Sequence, residues 1–142
     1  MSDKNKDFLT SHGIKCTAQR ILVLNILNEL SAASTASTAE QIYGKAVSIQ
    51  PHINLSTIYR ILELFTSKKI ITKHILSETK TAVYALNVHP HRHYMVCVEC
   101  QSIIPLDDCP CEIIKDTIMK NTDFKMVDHK LEILGYCSKC NK

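Results

Sequence analysis

The sequence predicts an α+β chain in which an N-terminal winged helix-turn-helix domain is followed by a small α/β domain with a structural zinc site. Three observations predict this fold class. Three segments with apolar residues at helical spacing lie before residue 68, two β-rich runs follow them, and two Cys-x-x-Cys pairs mark the last third of the chain. We place the domain boundary between residues 1–86 and 87–142.

The first two helices are predicted by periodicity and by capping residues. In 17–30, leucine and isoleucine recur at helical spacing, and Thr17 can cap the N-terminus. Thr38 and Gln41 resemble a capping box for a second helix that extends to about Val47. Pro51 closes that segment, because proline cannot continue a helix.

The third helix carries the residues that point away from the core. Asn54 or Ser56 can cap it. Its apolar residues follow the i, i+3, i+4, i+7 rule and are Ile58, Ile61, Leu62 and Phe65. Thr57, Tyr59 and Arg60 are therefore left on the outer face.

Two β-rich runs, 70–76 and 81–86, surround the polar turn 77–80 and predict a hairpin. In a winged helix-turn-helix, the third helix enters the major groove of DNA and the hairpin lies over an adjacent backbone. Arg60 suits a guanine edge or a phosphate, and Tyr59 suits a phosphate or a thymine methyl. The same pattern also fits a solvated helix face.

Charge is distributed unevenly along the chain. The net charge is +3, and residues 1–80 carry ten Lys and Arg side chains against six Asp and Glu. Such an excess favours a nucleic-acid partner, because phosphates attract clustered cations, but many soluble domains carry a similar imbalance.

The two Cys-x-x-Cys pairs are Cys97 with Cys100 and Cys137 with Cys140. The two intervening residues let one tight turn aim both sulfur atoms of a pair at one point, and four thiolates satisfy a tetrahedral zinc ion. One ion would then fasten the end of the chain to the start of this segment. The alternatives for these cysteines are two disulfides or a redox-active pair.

The N-terminal residues 1–6 are polar, and no signal-peptide segment follows them. No apolar run reaches the roughly 18–20 residues of a membrane span. We therefore expect a soluble, cytoplasmic protein with no membrane partner. In that compartment the seven cysteines stay reduced, which favours ligands over disulfides.

Five stretches carry a resemblance to a known family: 13–20, 38–43, 56–60, 91–100 and 129–135. Together they resemble the ferric-uptake-regulator family over nearly the whole chain. The resemblance implies a dimeric, metal-responsive transcriptional repressor. Its winged helix binds an inverted-repeat operator, and its C-terminal α/β domain dimerises and senses metal. By this resemblance Arg20, Tyr59 and Arg60 are expected DNA contacts, and we add Thr57 from the same helix face.

Three histidines, His89, His91 and His93, alternate along a predicted strand 89–96, so a period of two puts them on one face. Three imidazoles on one face suit a metal, which makes His89 a further candidate ligand. Counted from the first Cys pair, the regulatory ligands that the resemblance implies are His91, His93, Glu112 and His129. Three imidazoles and one carboxylate form a plausible tetrahedral zinc shell.

The other regulatory site of the family is not matched by this sequence. Ala36 or a neighbour stands where the resemblance requires His, and Asn87 ends the wing without an acidic residue. Arg92 also stands at an alternate strand position, where a cation repels a metal. We therefore expect zinc to be sensed, with an iron-, manganese- or peroxide-responsive repressor as the alternative.

Cys109 and Cys111 flank Pro110 immediately before Glu112. A Cys-Pro at this place resembles the zinc-uptake-regulator branch of the family. The two thiols are further ligands, a thiol switch, or ordinary side chains at the start of a helix 111–120. A short strand 103–106 precedes them, and a long strand 124–136 is predicted after the helix.

We therefore predict a metal-dependent repressor that binds double-stranded DNA as a homodimer, with zinc as corepressor. A small zinc hydrolase, with Glu112 or Asp108 as general base, is a remote alternative. The sequence contains no His-Glu-x-x-His motif and no Gly-rich phosphate loop. We expect neither an enzyme nor a small-molecule substrate.

Overall fold

The computed structural model divides the chain into two compact units, Met1–Val88 and His89–Lys142. It describes residues 2–32, 36–88, 92–106 and 108–142. His89 and His91, which the sequence predicts as metal ligands, lie outside the described residues. None of the described helices combines the length and the apolar character needed to cross a membrane.

The N-terminal unit contains four helices and a hairpin. They are α1 Ser2–Ser11, α2 Ala18–Ala32, α3 Ala39–Ile49, α4 Leu55–Ser67, β1 Ile71–Ile75 and β2 Ala82–Leu86. β1 and β2 pair antiparallel, as a wing should. Isolated bridge bonds between Ser37 and Tyr84 attach the segment before α3 to the hairpin.

The predicted caps are present. The Arg20 N–H donates to Thr17 Oγ1 at 3.2 Å, and Thr38 and Gln41 form a complete capping box. At the start of α4, Asn54 Oδ1 accepts from the Thr57 N–H at 2.9 Å. These bonds satisfy backbone donors that a helix start leaves without partners, and they fix where the three helices begin.

Helix α1 is an element that the sequence did not predict. The segment is polar, and only Phe8 and Leu9 are apolar, so it shows no helical stripe. Leu9 is completely buried and anchors the helix to the core. Gly13 follows with φ 70°, and the Ile14 N–H bonds the Leu9 carbonyl at 2.9 Å, which closes the helix end.

The core of this unit lies where α2, α3, α4 and the hairpin meet. All four inward residues predicted for α4 are buried. They belong to one cluster with buried side chains of the other elements, among them Val23, Leu27, Ile42, Ile71 and Tyr84. The burial of this face leaves the opposite face of α4 exposed, including Tyr59 and Arg60.

The C-terminal unit is a three-stranded sheet with one helix. Its elements are β3 His93–Cys97, β4 Ile103–Leu106, α5 Cys111–Met119 and β5 Glu132–Gly135. The strand order is β4-β3-β5. β3 pairs antiparallel with β4 and parallel with β5, and Tyr94 lies opposite Glu132.

The long strand predicted for 124–136 is wrong in extent. Only Glu132–Gly135 is a strand, and residues 122–131 follow an irregular path. A strand needs a hydrogen-bonding neighbour, and the ladder with β3 begins at Glu132. His129 therefore lies before the strand and reaches its position through an irregular segment.

Helix α5 is unlike the helices of the first unit. None of its side chains, all of which the structure describes, is buried. Ile113 is 76% exposed, and Val127 in the following segment is 94% exposed. Further exposed large apolar residues described in this unit are Val98, Ile104, Ile114, Ile118, Phe124, Ile133, Leu134 and Tyr136.

Candidate metal centres and DNA-facing surface

The four cysteines of the two Cys-x-x-Cys pairs lie close together in space, as the sequence predicts. The sulfur atoms of Cys97, Cys100, Cys137 and Cys140 lie within 4.8 Å of one another. Cys100 Sγ and Cys137 Sγ are 3.7 Å apart. Tetrahedral zinc with Zn–S bonds of about 2.3 Å requires sulfur atoms about 3.8 Å apart, so the group fits this ion.

Strand pairing brings the two pairs together. Cys97 ends β3 opposite Gly135 of β5, and the Val98 N–H bonds the Gly135 carbonyl at 2.9 Å. Cys137 is thereby held beside Cys97. Tight turns then return Cys100 and Cys140 towards the same point, with the Cys140 N–H bonded to the Cys137 carbonyl at 3.0 Å.

Backbone hydrogen bonds prepare this group for a cation. The Cys137 N–H donates to Cys97 Sγ at 3.4 Å. That bond, with the Cys100 N–H, lowers the pKa of Cys97 to about 6. The N–H groups of Lys139 and Cys140 lower the pKa of Cys137. The neighbouring Cys137 sulfur raises the pKa of Cys140 to about 12. Deprotonation is therefore easier at Cys97 and Cys137 than in an ordinary cysteine, before any ion adds its charge.

A second group of potential ligands lies in the same unit. His93, Cys109 and His129 place their ligand atoms within 4.8 Å of one another. His93 Nε2 lies 3.0 Å from His129 Nε2. Cys109 Sγ lies 3.2 Å from each of these nitrogen atoms.

These separations fit a metal ion with small adjustments. In a tetrahedral zinc site, nitrogen and sulfur ligands lie roughly 3.3–3.6 Å apart, a few tenths of an ångström more than observed. His93 is buried and the other two residues are half-buried. Three convergent ligands leave one coordination position for a fourth.

The two groups are connected by one strand. His93 is the first residue of β3 and Cys97 is the last. Because a strand rises about 3.3 Å per residue, roughly 13 Å separates the backbones at the two sites. A zinc ion held by the four thiols would thus fix the strand that also presents His93.

The predicted regulatory ligands are brought together only in part. His93 and His129 converge, and Cys109, considered as a further ligand in the sequence, completes the group. Glu112 is exposed on α5 and does not belong to the group among the described residues. Cys111 Sγ lies 3.3 Å from His129 Nδ1, on the other side of the imidazole ring.

At the end of the wing, the structure describes Asn87 and Ala36, two of the residues that the sequence places at the family's other regulatory site. Asn87 Nδ2 donates to the Lys69 carbonyl at 3.0 Å, so this side chain closes the hairpin. Ala36 is buried and has no ligand atom in its side chain. The expectation that this site is not filled in the usual way stays a prediction.

Three of the four predicted DNA-contacting residues share one cleft of the N-terminal unit. Arg20, Thr57 and Arg60 line a shallow cleft of about 250 Å³ between α2 and α4. The Arg20 guanidinium donates to the Lys15 carbonyl at 2.7 Å, which holds it at the start of α2. The Thr57 hydroxyl donates to Asn54 Oδ1 at 2.8 Å, so its proton is used within the helix cap.

Tyr59 has a partner that sequence reasoning missed. Its hydroxyl donates to Glu40 Oε1 on α3 at 2.6 Å. This bond raises the pKa of Tyr59 and lowers the pKa of the Glu40 carboxyl. The only signal in the sequence was the position of Glu40 in the first turn of its helix, which does not reveal a partner on another helix.

The profile of the ferric uptake regulator family matches residues 11–134. A ferric uptake regulation protein of Neisseria meningitidis serogroup A is 31% identical over 132 residues, which cover 93% of this chain and 90% of that protein. The corresponding protein of Yersinia pestis is 30% identical over 141 residues, covering 99% and 93%.

A solved structure agrees with the sequence comparison. The Vibrio cholerae ferric uptake regulator, whose crystal structure describes DNA-binding domains, aligns with a TM-score of 0.76 and 28% identity. The alignment covers 94% of this chain and 99% of that chain. The fold, the two ligand groups and these similarities agree, and the chain therefore belongs to the ferric uptake regulator family of metal-dependent transcriptional regulators.

Proposed function

We propose that this protein is a zinc-responsive repressor that binds an inverted-repeat operator as a homodimer. Zinc at the site formed by His93, Cys109 and His129 acts as corepressor. The four-thiol group holds a second, permanent zinc ion that maintains the C-terminal unit. His91, which the resemblance also implies, is the proposed fourth ligand of the regulatory site.

The composition of the regulatory group carries this proposal. Two imidazoles and one thiol converge, and among the described residues no carboxylate joins them. Carboxylate and water oxygens suit manganese and magnesium, whereas thiolate with imidazole suits zinc. Cys109 thus favours zinc over the harder divalent ions more strongly than the Glu112 shell expected from the sequence.

An iron-responsive regulator is the second candidate, because several similar proteins carry the name ferric uptake regulation protein. Imidazole ligands also bind ferrous iron, and affinity for a fixed ligand set rises from manganese through iron towards zinc. The two candidates therefore differ in which ion, zinc or ferrous iron, promotes DNA binding at the free concentration found in a cell.

The outer face of α4 supports the DNA-binding role. Arg20 and Arg60 bring two permanent cations to one cleft, where a phosphate would be attracted. Tyr59 gives its single hydroxyl proton to Glu40 and therefore has none for a phosphate. We infer that it meets DNA through its ring, as in contact with a thymine methyl, or through its oxygen lone pairs.

The exposed apolar residues of the C-terminal unit support the homodimer. Ile113, Ile118 and Val127 remain uncovered in one copy of the chain. Exposed large apolar side chains that lie together are typical of protein–protein interfaces. A second copy related by two-fold symmetry would cover these side chains and would place two recognition helices on the two half-sites of an inverted repeat.

Metal must favour the DNA-binding arrangement of the dimer in order to regulate it. A ligand shifts an equilibrium only by its difference in affinity for the two states. The usual coupling of about 1–3 kcal/mol corresponds to a change in DNA affinity of roughly 5- to 150-fold.

Selection of DNA from a random pool, followed by fluorescence anisotropy in metal buffers, tests the proposal. The protein is first loaded with its structural zinc and then titrated anaerobically with zinc, ferrous iron or manganese. We expect zinc to promote binding to the selected DNA at the lowest free concentration. Promotion by iron at cellular concentrations, with no response to zinc, would contradict the zinc assignment and favour the second candidate.

A further inference from the structure

The imidazole of His129 lies between two thiols that belong to one Cys-Pro-Cys sequence. Cys109 Sγ is 3.2 Å from Nε2, and Cys111 Sγ is 3.3 Å from Nδ1. Pro110 precedes α5 and Cys111 is its first residue, so the chain turns between the two sulfur atoms. The same three-residue segment therefore contacts both nitrogen atoms of one ring.

Metal binding through Nε2 imposes a condition on the other nitrogen. A neutral imidazole carries one proton, so a lone pair at Nε2 requires the proton to be at Nδ1. Ligating histidines almost always donate this second N–H to an acceptor, which fixes the tautomer and the ring orientation. Cys111 Sγ is at the correct distance from Nδ1 to be that acceptor.

The proton of the Cys111 thiol has a separate destination. Its S–H points to Met126 Sδ, with the two sulfur atoms 4.0 Å apart. Thioether sulfur can only accept, so this contact leaves the lone pairs of Cys111 free to accept from His129.

We propose that Cys111 is a positioning residue for the regulatory metal: its sulfur accepts the Nδ1–H of His129 and holds Nε2 towards the ion. This inference rests on the proposed regulatory site at His93, Cys109 and His129. It separates the two thiols of the Cys-Pro-Cys sequence into a ligand and a supporting acceptor. Of the alternatives left open by the sequence, it selects neither a thiol switch nor passive packing for Cys111.

Cobalt substitution distinguishes a ligand from a positioning residue. The full-length protein is kept with zinc in its four-thiol site and titrated with Co²⁺, and the thiolate-to-cobalt absorption of the second ion is recorded. The variants are Cys111→Ala, Cys111→Ser and Cys109→Ser. We expect Cys111→Ala to retain the thiolate absorption at saturation and to bind Co²⁺ about 10- to 100-fold more weakly.

The serine variant supplies the conservative rescue. A hydroxyl oxygen can accept the Nδ1–H, so Cys111→Ser should recover most of the lost affinity. Cys109→Ser should lose the thiolate absorption, because it removes the ligand itself. Unchanged affinity in Cys111→Ala would overturn the inference, and loss of the thiolate absorption in that variant would show that Cys111 is a ligand.

Nitrogen-15 NMR of the wild-type protein gives a test that does not depend on the stability of a variant. In the zinc-saturated protein, we expect His129 to carry its proton at Nδ1. A proton at Nε2 would refute the proposal. If wild-type protein took up no second ion, the proposed function would fail too, whereas normal uptake with an unaffected Cys111→Ala would refute the positioning role alone.

Discussion

At the scale of single residues, two aromatic rings carry the proposed function, and a neighbouring side chain holds each of them. His129 is contacted by Cys109 and Cys111, and Tyr59 donates to Glu40. These neighbours decide which ring atoms face a ligand. The sequence supplied the residue types of the rings, but Glu40 and Tyr59 lie on different helices, and no local pattern predicts their contact.

Removing the charge of Glu40 should reduce DNA specificity. Glu40→Gln weakens the acceptor that orients Tyr59, and a hydrogen bond at this exposed position is worth roughly 1 kcal/mol. We expect about a fivefold smaller ratio of selected to random DNA affinity, measured by anisotropy at fixed salt. Glu29→Gln is the matched control. Glu29 pairs with Lys45, so this substitution removes the same charge without changing the contact of Tyr59. An equal loss of specificity in both variants would show that the change of charge, and not the contact with Tyr59, causes the effect.

Mutation of Cys109 and of Glu112 distinguishes which of these two residues is a ligand of the regulatory metal. Cys109→Ser removes a converging ligand atom and should weaken zinc binding at this site by more than about tenfold. Mutation of residues that only support a metal ligand already lowers metal affinity by about tenfold or more. Glu112→Gln should leave the affinity unchanged, because the exposed carboxylate lies outside the group. Competition with a fluorescent zinc chelator measures both. A larger effect of Glu112→Gln would restore the ligand set expected from the resemblance.

At the scale of elements, the starts of helices were predictable and the long-range pairings were not. Thr17, Thr38 and Asn54 cap helices through bonds to residues three positions away, so the signal is local. Helix α1 was missed because one buried residue, Leu9, anchors a polar segment. The length of β5 was overestimated because its end depends on where β3 offers a partner.

The cap of α4 offers a test at this scale. Asn54 Oδ1 accepts from the Thr57 N–H at 2.9 Å and from the hydroxyl groups of Ser56 and Thr57. Asn54→Ala should lower the free energy of unfolding of the N-terminal unit by about 1 kcal/mol. Chemical denaturation followed by circular dichroism measures the change. Ser56→Ala keeps the backbone cap and should cost less, and the reverse order would show that the cap does not stabilise α4.

At the scale of the whole molecule, each unit contains one part of the proposed response. The N-terminal unit presents the cleft lined by Arg20 and Arg60, and the C-terminal unit contains both ligand groups. The Cys pairs predicted the first group correctly because their spacing is a local property. The second group was predicted only in part, because a folded chain brought Cys109 to the histidines in place of Glu112.

The uncovered apolar surface predicts how the dimer can be disrupted. Ile118→Asp places a charge on the exposed apolar side of α5 and should convert the dimer to a monomer, because burying an unpaired carboxylate is unfavourable. Light scattering coupled to size exclusion measures the mass. Asn121→Asp adds the same charge at an exposed polar position and should remain dimeric. If the Ile118→Asp protein stayed dimeric, the dimer interface would not include this side of α5.

Native mass spectrometry of the protein bound to its selected DNA tests the central claim most directly. At low free zinc, the unbound protein should carry one zinc ion per protomer, held by the four thiols. The DNA-bound dimer should carry two ions per protomer, because the regulatory ion favours the binding arrangement. A DNA-bound dimer with only the four-thiol ions, at an affinity that added zinc does not change, would contradict the account.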